Sequence, residues 1–172
     1  MAHQLSTPWR GVVLASACAA AIGCQRPTVT VADLGQRLSA WQPDSTATLA
    51  HESYSGIVTA ERLVVADSRA WGIVWQRVYS NSRPEPPRPT IDFGAEAVLV
   101  ASLGERGTGG YYIRIDSIVT FDSGMQVHVT AGAPGPACVT TQALTQPVHV
   151  VRVSRPRGPV FFEERSVVHE CR

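Results

Sequence analysis

The chain contains no lysine. All 15 of its basic residues are arginine, and Asn81 is its one asparagine, a bias that fits GC-rich coding better than selection for guanidinium chemistry. The absence still closes options, because Schiff-base, pyridoxal and P-loop chemistry each require a lysine amine. Strong charge is missing as well. With 15 basic and 14 acidic side chains the formal net charge is +1, too weak a field to argue for nucleic acid or acidic substrates. There is no internal repeat, no G-x-S-x-G elbow and no H-E-x-x-H pair. What is present is a chain of 172 residues, 44% hydrophobic and 17% charged. That is about one globular domain.

The first 24 residues carry an address. "GVVLASACAAAIGC" is a short apolar run after Arg10, too short to span a bilayer as a stable helix and laid out like a secretory signal. The ending Ile22-Gly23-Cys24 places Cys24 where a bacterial lipoprotein carries its lipid, although Ala21 stands where Leu is usual. Residues 1–23 are therefore expected to be a signal peptide and Cys24 the lipidation site. Plain secretion, with cleavage after Ala19-Ala20-Ala21, and a buried N-terminal helix remain open alternatives. The expected location is the cell envelope of an exported protein anchored to membrane through lipid, facing the periplasm or on the outer membrane if the cell has one.

Removal of Cys18 with the signal and lipidation of Cys24 leave Cys138 and Cys171. In an oxidising compartment such a pair reads as one disulfide. A metal pair would need further ligands, and His51, His128, His149 and His169 show no metal-site spacing with the cysteines.

Residues 24–53, rich in Thr, Ser, Ala and Pro, read as a lipidated N-terminus and tether, with Leu34, Leu38 and Trp41 at the spacing of a short helix. The domain is expected to begin near Tyr54, with one or two short strands in "SGIVTAERLVVADS". Trp71, Val74, Trp75 and Val78 then form an apolar helical stripe with Asp67 or Ser68 as N-cap. Four prolines between Pro84 and Pro89 end that helix and make an exposed, semi-rigid connection. "AVLVASL" (97–103) is a continuous β-prone run, a strand covered on both faces. In "YYIRIDSIVTF" Tyr111, Ile113, Ile115, Val119 and Phe121 share one face, with Tyr112, Arg114, Asp116 and Thr120 on the other. "DSG" turns into "MQVHVTA", giving a hairpin. "PVHVVRV" is a further strand, and residues 156–172 form a C-terminal extension with a possible edge strand tied by the disulfide. The expected fold is α+β, mainly β: an antiparallel sheet or sandwich-like domain with one principal amphipathic helix.

The glycine-rich "GERGTGGYYIRI" (104–115) is neither of the familiar nucleotide loops. Gly104 and Gly109 have P-loop spacing, but Gly110 and Tyr111 replace Lys and Ser/Thr, and a strand follows instead of a helix. Gly107 and Gly109 lack the third glycine of the dinucleotide fingerprint, since position 112 is Tyr. His128 and His149 read as solvated strand residues, and Asp92 and Glu96 as residues of a strand entry. No catalytic residue, metal ion or cofactor is expected.

"SGI" at 55–57, the helix "SRAWGIVWQRV", "PTIDFGAEAVLVASLGERGTGGYYIRI" and "TQPVHVVRV" together resemble the C-terminal domain of the PrcB protease-complex-subunit family. The order Asp92-Phe93, apolar strand, Gly104, Thr108-Gly109-Gly110-Tyr111 is the most specific part, and the resemblance covers about residues 54–155. The family often has Pro where this chain has Gly107. The resemblance implies a secreted or lipid-anchored, non-catalytic partner of a surface protease and supplies no active-site residue. It leaves two readings of the loop. Gly109 and Gly110 can supply positive φ or close approach for the turn into Tyr111. Alternatively Arg106, Gly107, Thr108, Gly109, Gly110 and Tyr111 meet a protein partner, a surface protease among the candidates, because Arg and Tyr suit interface anchors. The loop also distantly resembles the Thr-Gly-Tyr loop of immunoglobulin-like cysteine-peptidase inhibitors. A peptidase inhibitor and a structural envelope lipoprotein are thus the alternatives to a partner-binding module.

Overall fold

A computed structural model describes residues 29–43 and 47–171; residues 1–23, expected to be a signal peptide, and Cys24 lie outside the described residues. Among the described residues eight strands form two sheets: β1 (Arg37–Trp41), β2 (Thr48–Glu52), β3 (Ala60–Val65), β4 (Glu96–Leu103), β5 (Tyr112–Phe121), β6 (Gly124–Pro134), β7 (Val148–Ser154) and β8 (Val160–His169). Sheet I has the order β1-β5-β6-β8, and sheet II the order β2-β7-β4-β3. Neighbours are antiparallel except β6 and β8, which run parallel. The single α-helix among the described residues, α1 (Ser68–Val78), lies between β3 and β4 in the chain.

Sheet II is covered on both faces, as its sequence requires. Alternate residues of β4 and β7 serve two cores. Ala97, Leu99, Ala101, Val151 and Val153 meet Ile113, Ile115, Met125, Val127 and Val129 of sheet I. Val98, Val100, Val148 and Val150 meet Trp71, Val74, Trp75 and Val78 of α1. The helix starts where the sequence indicates, with Asp67 Oδ1 accepting from the Ala70 N–H at 2.8 Å. The proline segment is more than a spacer, because carbonyls of Pro89 and Pro86 accept the indole N–H groups of Trp71 and Trp75 at 2.9 and 3.0 Å. Those bonds let two tryptophans bury their rings without leaving a polar group unpaired.

Three expectations need correction. The stretch read as tether enters the fold: Val31–Leu34 is a 3-10 turn whose Leu34 is buried, β1 joins β5 and β2 joins β7. Leu38 and Trp41, placed at helical spacing with Leu34, sit instead on a strand. In β5 the alternation breaks at a bulge. Ile115 opposes Val129 and Ser117 opposes His128, so Asp116 is the extra residue. One inserted residue swaps the faces beyond it, and Ile118, not Val119 or Phe121, joins the inter-sheet core. The third correction is the strand His149, which is buried; its role is given below. β8 occupies a sheet edge, and Cys171 just beyond it bonds Cys138, with Cα atoms 5.1 Å apart.

Candidate functional site

Topology gathers three connections at one end of the sandwich. Ala60 opposes Leu103, Ser102 opposes Val148 and Tyr112 opposes Gly132. Loops 53–59, 104–111 and 135–147 therefore emerge together, beside the end of β8, where His169 opposes Pro134. Large apolar side chains stand exposed on them: Tyr54, Val58, Val139, Leu144 and, from β8, Val168. Val168 is 65% exposed and Leu144 57%, values typical of surface charge and not of aliphatic residues chosen for a core. A groove of about 350 Å³ opens here between Leu103, Arg106, Tyr111, Ala131 and Val168.

The glycine loop inside this end is held by its own backbone. Arg106 and Thr145 exchange N–H···O bonds of 2.8 and 2.9 Å. Thr145 Oγ1 donates to the Thr108 carbonyl at 2.9 Å, and the Gly109 N–H donates to the Thr141 carbonyl at 3.0 Å. Gln146 Nε2 donates to Glu105 Oε2 at 3.0 Å. Gly110 has φ +86°, and a Cβ there would lie 3.0 Å from Pro134; a Cβ at Gly109 would lie 2.3 Å from Thr141 Oγ1. Both are turn residues, as the first reading of the loop required. Gly107 differs, since nothing lies within 4 Å of its would-be Cβ. Of the six loop residues, then, Gly109 and Gly110 shape the turn and Thr108 accepts a bond at its carbonyl. Gly107 faces open space, and the Arg106 guanidinium carbon sits 5.9 Å from the centre of the Tyr111 ring. That arrangement holds a cation and an aromatic face together at the mouth of the groove.

A second cluster closes the β2–β5 seam of the sandwich. β1 pairs only with the far half of β5, from Ile118 to Phe121. The near half thus points backbone groups off its open edge, and two histidines take them. His51 Nε2 lies 3.2 Å from the Ile113 carbonyl, and the Ile115 N–H donates to His149 Nδ1 at 2.9 Å. These bonds fix the tautomers: His51 donates from Nε2, while His149 is unprotonated at Nδ1 and presents its Nε2–H to Thr48 Oγ1, 3.1 Å away. The ring centres are 4.5 Å apart. Burial, then the neighbouring His51 and Arg114, push the His149 pKa down to about 4 against a smaller opposing pull from Asp116. With its proton on Nε2, His149 is a donor toward Thr48, not a base that could activate the hydroxyl. Beside the rings Asp116, placed by the bulge, accepts from Arg114 Nε at 2.6 Å and from Thr130 Oγ1. Arg165 reaches Thr130 Oγ1 at 2.8 Å. His128, in contrast, is half-exposed and lies 3.4 Å from Glu163, as a solvated strand residue would.

Sequence spacing missed one further neighbourhood. His169 lies with Cys138 and Cys171, their ligand atoms within 4.8 Å of one another. The sulfur–sulfur bond uses both sulfurs, so the oxidised trio is a covalent staple and not a thiolate site. The histidine seam was equally invisible, because β2 meets β7 only through pairings such as His51 with His149. A signal existed in hindsight: His149 stands between the buried Val148 and the buried Val150 and Val151.

Residues 97–154 match the family model described as PrcB C-terminal. The family resemblance seen in the sequence is borne out over this stretch. The PrcB C-terminal match runs from β4 to β7 and contains the glycine loop, the bulged hairpin and His149; the Trp-bearing helix and "SGI" lie before it. No curated protein matches the chain, and no solved structure does.

Proposed function

We propose that the chain is an exported, lipid-anchored, non-catalytic protein-binding module that partners a surface protease through its glycine-loop end. The observation that carries this reading is the ring of exposed apolar side chains, Tyr54, Val58, Val139, Leu144 and Val168, around a loop whose shape is fixed by backbone bonds. A preformed loop pays little ordering entropy on binding, and Arg106 with Tyr111 supplies the anchor types that dominate interfaces. Exposed apolar side chains gathered at one end mark an interaction site more often than chance surface. The PrcB C-terminal match supports a protease-associated role, and the tautomer of His149 favours a structural duty over a catalytic one.

The test is affinity capture of the native protein from membrane extract. Wild type is compared with the double variant Arg106→Ala/Gly107→Asp, which leaves the turn glycines intact. Recovery of a peptidase by wild type, with at least tenfold less by the variant at unchanged thermal stability, supports the proposal. Equal recovery, or none, counts against it. The inhibitor reading uses the same loop and is separated by assaying the recovered peptidase with and without added protein: an assembly partner leaves it active, whereas an inhibitor silences it. The lipid anchor is tested by fatty-acid labelling, which the proposal expects to vanish in Cys24→Ser.

A further inference from the structure

The β2–β5 seam is closed by imidazoles where a sheet would use backbone. β1 pairs β5 only from Ile118 to Phe121, leaving the Ile113 carbonyl and the Ile115 N–H directed at sheet II. A carbonyl can be met by any donor. The Ile115 N–H needs an acceptor, and that acceptor is a titratable nitrogen, His149 Nδ1. From the geometry we infer that His51 and His149 form an acid-released latch: protonation of His149 at Nδ1 turns the acceptor into a second donor, expels the Ile115 N–H and opens the β2–β5 seam.

The step balances simply. The Nδ1 lone pair that now accepts from Ile115 takes a proton from solvent, and the ring becomes an imidazolium carrying N–H on both nitrogens. Two donors then face each other across 2.9 Å, and the buried N–H is left unpaired unless the seam separates to admit water. The charged groups around the ring do not rescue it. From β2 comes His51; from β5 come Arg114 and Asp116; and Arg165 of β8 lines the same cleft. Among the described residues Asp116 is the counter-charge acting on His149, and it is already shared among Arg114, Thr130 and Arg165.

The direction with pH follows. His149 is held at about 4 in the closed seam, whereas a solvated histidine titrates near 6.5. The opened form therefore binds the proton first as pH falls. The latch is fully closed above about 6.5 and loosens progressively toward 4, its opening equilibrium rising about tenfold per pH unit in between.

Amide exchange and imidazole nitrogen shifts of the full-length chain, measured by NMR from pH 7.5 to 4.5, test the latch. After correction for intrinsic exchange, opening at the Ile115 amide is expected to rise about tenfold per pH unit below 6.5, while Val127 in the sheet I interior stays protected. His149→Asn keeps an acceptor at the Nδ1 position but cannot titrate, and its Ile115 amide is expected to be flat across the range. A wild-type Ile115 amide that does not change, or one that changes equally in His149→Asn, overturns the inference. Should the variant not fold, wild type alone decides. A His149 ring that titrates near 6.5 without moving the Ile115 amide sinks the latch, and one that titrates well below 6 together with that amide sustains it.

Discussion

The glycine-loop end and the histidine seam meet the same difficulty in opposite ways. Each is a place where strands stop pairing and backbone groups need partners. At the seam, side chains are spent on the backbone: His51 and His149 serve Ile113 and Ile115, and Asp116 ties down its neighbours. At the loop end the backbone serves itself, Arg106 with Thr145 and Gly109 with Thr141. Leu144 and Val168 are thereby left exposed, and the Arg106 guanidinium lies over the ring of Tyr111, whose other contacts are with the inter-sheet core. The difference teaches where to look for recognition: a surface is available to a partner when folding does not consume the side chains that compose it.

Substitutions at the two places should separate sharply. Separating Cys138 from Cys171 by Cys→Ser changes should cost about 3.7 kcal/mol by the loop-closure relation for a span of 33 residues, with its structural effect confined to the loop end and β8. His149→Ala removes a buried ring and orphans the Ile115 N–H, so a loss of about 3 kcal/mol is expected in denaturant unfolding. Gly110→Val forces a β-branched residue to φ +86° and should cost about 2 kcal/mol. Gly107→Ala, three residues away in the same loop, should change stability by less than about 0.5 kcal/mol. Acid sharpens the contrast further. Because the His149 pKa is depressed to about 4, stability is full above pH 6.5 and falls as pH drops toward 4, by up to about 3 kcal/mol. A thermal melt at pH 7.5 and at pH 4.5 should show that slope in wild type and a shallower one in His149→Asn.

Much of the fold was legible because its signals are local. The continuous apolar run of β4 announced two covered faces, the Trp71, Val74, Trp75 and Val78 stripe announced α1, and "DSG" announced the hairpin. What was not legible depends on residues far apart. β1 and β2 have compositions suited to a tether and are strands because β5 and β7 offer them edges. The bulge at Asp116 leaves no mark in the alternation until Ile118 is seen in the core. His149 acquires its role from Ile115, 34 residues earlier in sequence. Within the glycine loop, sequence could name the six residues but could not divide them. The backbone did that, assigning Gly109 and Gly110 to the turn and leaving Gly107 facing open space.

On the proposed function, Arg106 and Gly107 recognise a partner without contributing to the fold. The direct measurement is denaturant unfolding of wild type and of Arg106→Ala/Gly107→Asp, paired with capture of the peptidase from membrane extract. Unfolding free energies within about 1 kcal/mol of each other and at least a tenfold drop in captured peptidase are expected. Undiminished capture by the folded variant would contradict that function.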